Sequence, residues 1–145
     1  MNVRIEPLAE TQLAAVIGLL NEAGLPSQDV HEHRQNFLVA LNGAELVGAV
    51  GLEIYDAGAL VRSLVVKPSL RNQGVGKLLY DAAVVFAKKH RVSQLGLLTN
   101  TAERFFAREG FVKIEKDQTP EFIKRTKEYT TFCPSSAVVM AKWIP

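Results

Sequence analysis

One cysteine stands in the whole sequence, Cys133, so no disulfide can form within the chain and no metal site can be assembled from several thiolates. Histidine is scarce as well. His31, His33 and His90 are the three present, and residues two apart on a helix point to different sides, so no metal centre is expected. Neither sign of charge dominates: 17 Lys and Arg against 15 Asp and Glu leave a net charge of +2. These charges are scattered, without the basic block or arm of a nucleic-acid binder. No apolar run approaches the roughly 18 residues of a membrane span, and Met1-Asn2-Val3-Arg4-Ile5 lacks the apolar stretch of a secretory signal. The expectation is a cytoplasmic protein with neither membrane nor nucleic acid as partner.

What is present is apolar patterning of two periods. At 145 residues and 48% hydrophobic, one core is enough, and without repeats, low-complexity tracts or linkers residues 1–145 read as a single domain. Arg4 to Glu6, with Val3, forms an edge strand ending at Pro7. Leu13, Val16, Ile17, Leu19 and Leu20 then recur at helical spacing and predict a helix over 9–22, stopped by Gly24 and Pro26. Ser27-Gln28-Asp29 caps a second short helix through Arg34. Two strands, 37–41 and 45–53, flank the hairpin signal Asn42-Gly43. Ala59 to Val66 reads as a central strand, followed by a glycine loop and a helix to about His90. Gln94–Thr99 is a strand parallel to it, Ala102–Arg108 a short helix closed by Gly110, and 111–114 a strand. A helical turn near Pro120 and a last strand within 136–143 complete a mixed α/β sheet of six or seven strands with helices on both faces.

The chemistry is concentrated in Arg71-Asn72-Gln73-Gly74-Val75-Gly76. Without a Cβ, Gly74 and Gly76 let a ligand approach the backbone, and the helix starting there directs its amides and positive dipole end outward. A phosphate suits such a place, and Arg71 can add a charge-assisted bond. The nucleotide phosphate-loop pattern fails because Gly76-Lys77 is followed by Leu78 rather than Ser or Thr, and the dinucleotide fingerprint fails because no glycine stands at its third glycine position. By themselves, two glycines opening a helix are usually only an ordinary strand-to-helix turn.

The longer run Leu64-Val65-Val66-Lys67-Pro68-Ser69-Leu70-Arg71-Asn72-Gln73-Gly74-Val75-Gly76-Lys77-Leu78-Leu79 resembles the signature of the GNAT acetyltransferase superfamily. Thr101 to Phe111 is similar to its second signature, a short helix closing in Gly-Phe. The resemblance implies an acyl-CoA N-acyltransferase fold and acetyl-CoA as cosubstrate. It assigns the pyrophosphate to Arg71, Asn72, Gln73, Gly74, Val75, Gly76 and Lys77, and the pantetheine arm to Leu64, Val65 and Val66. Asn100 and Phe106 are further cofactor contacts on this pattern. A narrower resemblance, to N-acetyltransferases encoded with bacterial arsenic-resistance genes, rests on Leu25-Pro26 with Asp29, Gly51-Leu52-Glu53, Arg62-Ser63-Leu64, Leu97-Leu98-Thr99 and Cys133-Pro134. It implies the amine of a small, amino-acid-like or arsenic-containing compound as acceptor.

Acetyl transfer requires a neutral amine, a polarised thioester and a proton for the leaving thiolate. Glu53 is the expected general base and a substrate contact, against the alternative of a solvated carboxylate at a strand end. Where the family frequently has a tyrosine acid this chain has Phe106, and Thr99 replaces a frequent Asn, so Thr99, Tyr129, Cys133 and water are the candidate proton donors. Arg62, inside an apolar strand, requires an anion: a substrate carboxylate, or an internal ion pair with Glu53 or another acid. A non-catalytic acyl-CoA-binding module and a protein N-acetyltransferase are alternatives, and pairing of the C-terminal strand between two copies would give a homodimer.

Overall fold

The computed structural model describes residues 2–132 and 135–145; Cys133 and Pro134, and the roles expected of them, lie outside the described residues. The described residues form a mixed sheet of seven strands, in which the seventh along the chain lies between the fifth and the sixth, with helices between strands, the α/β class the patterning predicts. The chain divides into two compact units.

The first unit runs to Leu52 and resumes over Arg62–Phe86. Strand β1 (Val3–Pro7) pairs antiparallel with β2 (Phe37–Asn42) and forms the sheet edge, where Pro7 can end the ladder. A 3-10 turn, Glu10–Gln12, leads into α1 (Leu13–Glu22), so the expected helix starts with a tightened turn. Strand β2 turns into β3 (Glu45–Tyr55) through Gly43 and Ala44, with the positive φ of 63° on Gly43. The loop thus begins one residue later than Asn42-Gly43 suggests. A register shift at Ala40/Leu41 makes Val47 the extra residue of a bulge, and its carbonyl accepts the Lys67 N–H at 2.8 Å. Alternation on β2 aims Phe37, Val39 and Leu41 at a core with Val16, Leu20, Val30, Ala49 and Val65.

Residues 27–36 depart from expectation. The helix there is a 3-10 segment, Val30–Asn36, and Asp29 at its N-cap makes no side-chain cap bond, because its carboxylate is engaged elsewhere.

The second unit comprises Glu53–Val61 and the chain from Ala87. Here Gly58–Leu60 of β4 (Gly58–Val66) lie parallel to Gln94–Gly96 of β5 (Gln94–Thr99). Strand β7 (Val138–Trp143) pairs antiparallel with β5 on one side and with β6 (Val112–Ile114) on the other. Both edges of β7 are therefore occupied within the chain, which favours the ordinary central strand over pairing between copies. The short helix α3 (Glu103–Arg108) is followed by Gly110, and Pro120 is the N-cap of α4 (Glu121–Lys124). Phe122 and Ile123 of α4 press onto strand glycines: a Cβ on Gly58 or Gly96 would lie 2.4 Å from their side chains. Leu60, Ile123 and Val139 form the buried cluster beneath.

Two glycines of the first unit give opposite predictions. A Cβ on Gly51 would sit 2.4 Å from the ring of Phe37, which is buried and cannot yield. Gly51→Ala is expected to cost about 1–3 kcal/mol, a fall of several degrees in Tm. Gly18 lies in α1 with nothing within 4 Å of such a Cβ, so Gly18→Ala is expected to add up to about 1 kcal/mol. Thermal unfolding of the two variants beside wild type checks both signs.

Candidate active site

Strand β4 leaves the core at Lys67, whose ammonium pairs with Glu45, and a 3-10 turn over Pro68–Leu70 leads into the glycine loop. The loop braces itself: Arg71 Nε donates to the Val66 carbonyl at 3.3 Å, and Gln73 Nε2 to that of Ser69 at 3.4 Å. Two of its residues are left-handed, Asn72 at φ 64° and Gly74 at φ 87°. Asparagine is among the few side chains that tolerate this region, and glycine enters it without penalty.

Helix α2 (Val75–Lys89) begins at the next residue. Its first i→i−4 bond joins Leu78 N–H to the Gly74 carbonyl at 3.1 Å, so the amides ahead of Leu78 have no carbonyl one turn earlier within the helix. Val75, Leu79 and Tyr80 are buried and fix the helix, while Arg71 to Gly74 are exposed. A Cβ on Gly74 would meet nothing within 4 Å. Gly76 lies inside the helix, and the Lys77 ammonium pairs with Asp81 one turn on, at 3.1 Å. An exposed, amide-rich helix start with an arginine at its entry is a site for an anion.

Just upstream, Arg62 has an internal partner. Its Nη1 and Nη2 donate to the two carboxylate oxygens of Asp29 at 2.8 and 2.6 Å. Both side chains are 1% exposed. An internal ion pair is present, with Asp29 as an acid that Arg62 meets. Arg62 also lies 5.9 Å from the Phe37 ring centre, and its Nε donates to Ser63 Oγ at 3.1 Å. Ser63 itself adopts a φ of 59° in the middle of a strand. Burial pushes the Asp29 carboxyl up, but the hydrogen bonds and charge of Arg62, with His33 at 3.5 Å, outweigh it and hold the group below 3.8. Sequence spacing gave no sign of this partner, 33 residues away; the only clue was that a buried arginine needs one.

In the second unit, Glu53 is 2% exposed, which removes the solvated strand-end alternative. Strand β3 continues two residues past it, to Tyr55. The Tyr55 hydroxyl donates to Glu53 Oε1 at 2.8 Å, and the Arg125 guanidinium lies 4.5 Å from the Tyr55 ring centre. Sequence reasoning missed Tyr55, although its i+2 spacing on a strand puts it on the face of Glu53. Thr99 ends β5, and its Oγ1 accepts the N–H groups of Ala102 at 2.9 Å and Thr101 at 3.3 Å, so the hydroxyl organises the turn into α3. Asn100 is exposed beside it. Phe106 is 5% exposed, in edge contact with Phe105 and Phe111, and packs as core. Tyr129 packs against the Leu60, Ile123 and Val139 cluster.

Across residues 33–113 the sequence matches the family model described as Acetyltransferase (GNAT) domain. The chain belongs to the GNAT acetyltransferase family. An uncharacterised N-acetyltransferase of Chlorobaculum tepidum is 32% identical over 108 residues, 74% of this chain and 67% of that protein. Among solved structures, N-acetylglutamate synthase from Neisseria gonorrhoeae, complexed with coenzyme A and N-acetyl-glutamate, superposes with a TM-score of 0.83 at 20% identity. All of this chain is covered but only 36% of the synthase, so it corresponds to about a third of that protein. A GNAT-family acetyltransferase from Staphylococcus aureus gives 0.79 at 18% identity over 99% of this chain and 100% of that one. At such identities the structural likeness establishes the fold. The protein is accordingly a GNAT acetyltransferase, and acetyl-CoA is that family's usual cosubstrate. No helix among the described residues is long and apolar enough to cross a membrane.

The buried pair makes a pH prediction. A carboxyl held below its unfolded value contributes stability that is present above pH 3.8 and lost as pH falls through the folded value. Asp29→Ala, which strips Arg62 of its bidentate partner, is expected to cost about 3–5 kcal/mol at neutral pH. Chemical denaturation from pH 7 to pH 3 should show the gap between variant and wild type narrowing on the acid side.

Proposed function

We propose that this GNAT domain, residues 1–145, is an N-acetyltransferase that carries acetyl-CoA on the loop Arg71–Lys77 and acetylates the amine of a small acceptor. The carrying observation is the open, left-handed Gly74 at the start of the 15-residue helix α2. Pyrophosphate oxygens accept from the amides of the loop and the first turn of α2, with Arg71 as counter-charge. The backbone of Leu64–Val66 pairs with the pantetheine arm, and amides there polarise the thioester carbonyl.

Glu53 is the general base. Its carboxylate takes the proton as the acceptor nitrogen attacks the acetyl carbon; the C–S bond then breaks and the thiolate departs, protonated by water. The bond from Tyr55 fixes the carboxylate in place. Since Arg62 is occupied by Asp29, the acceptor's acid group is met elsewhere or is not needed. The resemblance to arsenic-resistance N-acetyltransferases favours a role in detoxifying an arsenic-containing or amino-acid-like amine. The N-acetyl-glutamate seen with the Neisseria synthase makes amino acids the first class to screen. A cytoplasmic setting suits acetyl-CoA supply.

Calorimetric titration with acetyl-CoA tests the loop. Wild type is expected to bind with micromolar affinity, and Gly74→Glu, which sets a carboxylate against the pyrophosphate, to lose binding at least 100-fold; equal binding by both refutes the assignment. Glu53→Gln is expected to keep acetyl-CoA affinity while its acetylation rate drops about 10²- to 10⁴-fold, followed as thiol release with the best amine of a screen.

A further inference from the structure

We infer that Asp29 and Arg62 are positioning residues for acetyl transfer, holding Ser63 in the left-handed conformation that aims Leu64–Val66 at the cosubstrate. This rests on the reading of Leu64–Val66 as the pantetheine-binding edge. A serine at φ 59° within a strand is held against its preference, and such conformations persist only where their surroundings over-determine them. Part of those surroundings is the Arg62 guanidinium. Two of its nitrogens are fixed by Asp29 at 2.8 and 2.6 Å, and the third reaches Ser63 Oγ at 3.1 Å. Asp29 thereby fixes Arg62, and Arg62 fixes the side chain of the strained residue.

The effect of the kink is visible in the burial along β4. From Gly58 to Ser63 every residue is buried, as in a strand covered on both faces. From Leu64 the pattern alternates: Leu64 partly exposed, Val65 buried, Val66 partly exposed. The left-handed residue thus marks the change from a two-sided core strand to one with an open face, as an irregular strand residue re-aims the side chains beyond it. The loop Arg71–Gly74 starts five residues beyond Val66, and Arg71 Nε bonds back to the Val66 carbonyl. Strand edge and phosphate loop are consequently tied to one another, and the aim of both depends on Ser63. A buried ion pair is weak evidence for stability, since apolar replacements of both partners are often neutral or better. Its retention fits a role in fixing geometry.

The test separates geometry from stability. Titration with acetyl-CoA and thermal unfolding are measured for wild type, Asp29→Leu/Arg62→Met, Ser63→Gly, Ser63→Val, the triple variant that adds Ser63→Gly to the pair replacement, and Gly74→Glu. A β-branched residue is a genuine outlier at positive φ and glycine is not. Ser63→Val is therefore expected to weaken acetyl-CoA binding at least tenfold more than Ser63→Gly. The pair replacement is expected to lose at least tenfold in affinity with its Tm preserved, and the added glycine to restore part of that loss. Affinities within threefold of wild type for the pair replacement and for Ser63→Val overturn the proposal. So does a loss that tracks Tm alone and is not rescued by glycine. If wild type fails to bind, or Gly74→Glu binds as wild type does, the underlying reading of the loop falls and the proposal with it. If the pair replacement does not fold, the ratio between Ser63→Val and Ser63→Gly decides.

Discussion

A guanidinium in the middle of an apolar strand is the constraint on which the first unit depends. Removing an arginine from water costs several kcal/mol, recovered only through close, complete pairing, and Arg62 at 1% exposure leaves no solvent to help. The chain answers by bringing Asp29 over β4, which places the turn after Pro26 and sets Val30, fully buried, into the core beside Phe37 and Val65. Asp29, at the N-cap of the 3-10 segment Val30–Asn36, directs its carboxylate to Arg62 and makes no side-chain cap bond.

The same economy of space governs the strands. Phe37 occupies the volume a side chain on Gly51 would need, and Phe122 and Ile123 do so at Gly58 and Gly96. These glycines are used for absence of bulk, and their partners are the aromatic and branched residues that close each unit's core. Gly74 is different in kind. Nothing packs on it, its φ of 87° is what only glycine adopts freely, and it opens the longest helix among the described residues. Gly24 and Gly43 share its positive φ and open surroundings in turns; what sets Gly74 apart is its place at the start of α2.

Much of the fold is legible in the sequence because it is local. Period-two runs mark the strands to within two residues, Gly43 and Gly110 mark turns, and the run from Leu64 to Leu79 carries the family. Three features are not legible, each for a distinct reason. The Asp29–Arg62 pair joins residues 33 apart, and no spacing rule links them. The left-handed conformation at Ser63 falls on a residue type with no preference for positive φ. Glu53 reads as solvated because the apolar pattern of β3 stops there, and two further residues, Ile54 and Tyr55, change its environment from water to a buried carboxylate with a phenol partner. Phe106 is legible as a missing hydroxyl, and its edge contacts with Phe105 and Phe111 account for a phenyl ring there.

A missing acid is less damaging than it first looks. A thiol of pKa near 8.5 departs as a thiolate with only a modest deficit at neutral pH, whereas an alkoxide or amide anion could not. General acid catalysis typically contributes about 10²- to 10⁴-fold, and orienting two reactants can contribute about 10⁵ M or more in effective molarity. Of the two, orientation contributes more, and on the proposed reading it rests on the loop and on the strand leading into it. The Thr99 hydroxyl, accepting two backbone amides, retains one proton of its own to donate but is anchored to the start of α3. On the proposed reading water is the proton source. The chemistry then depends on a neutral amine meeting a polarised thioester, a requirement of geometry more than of acidity.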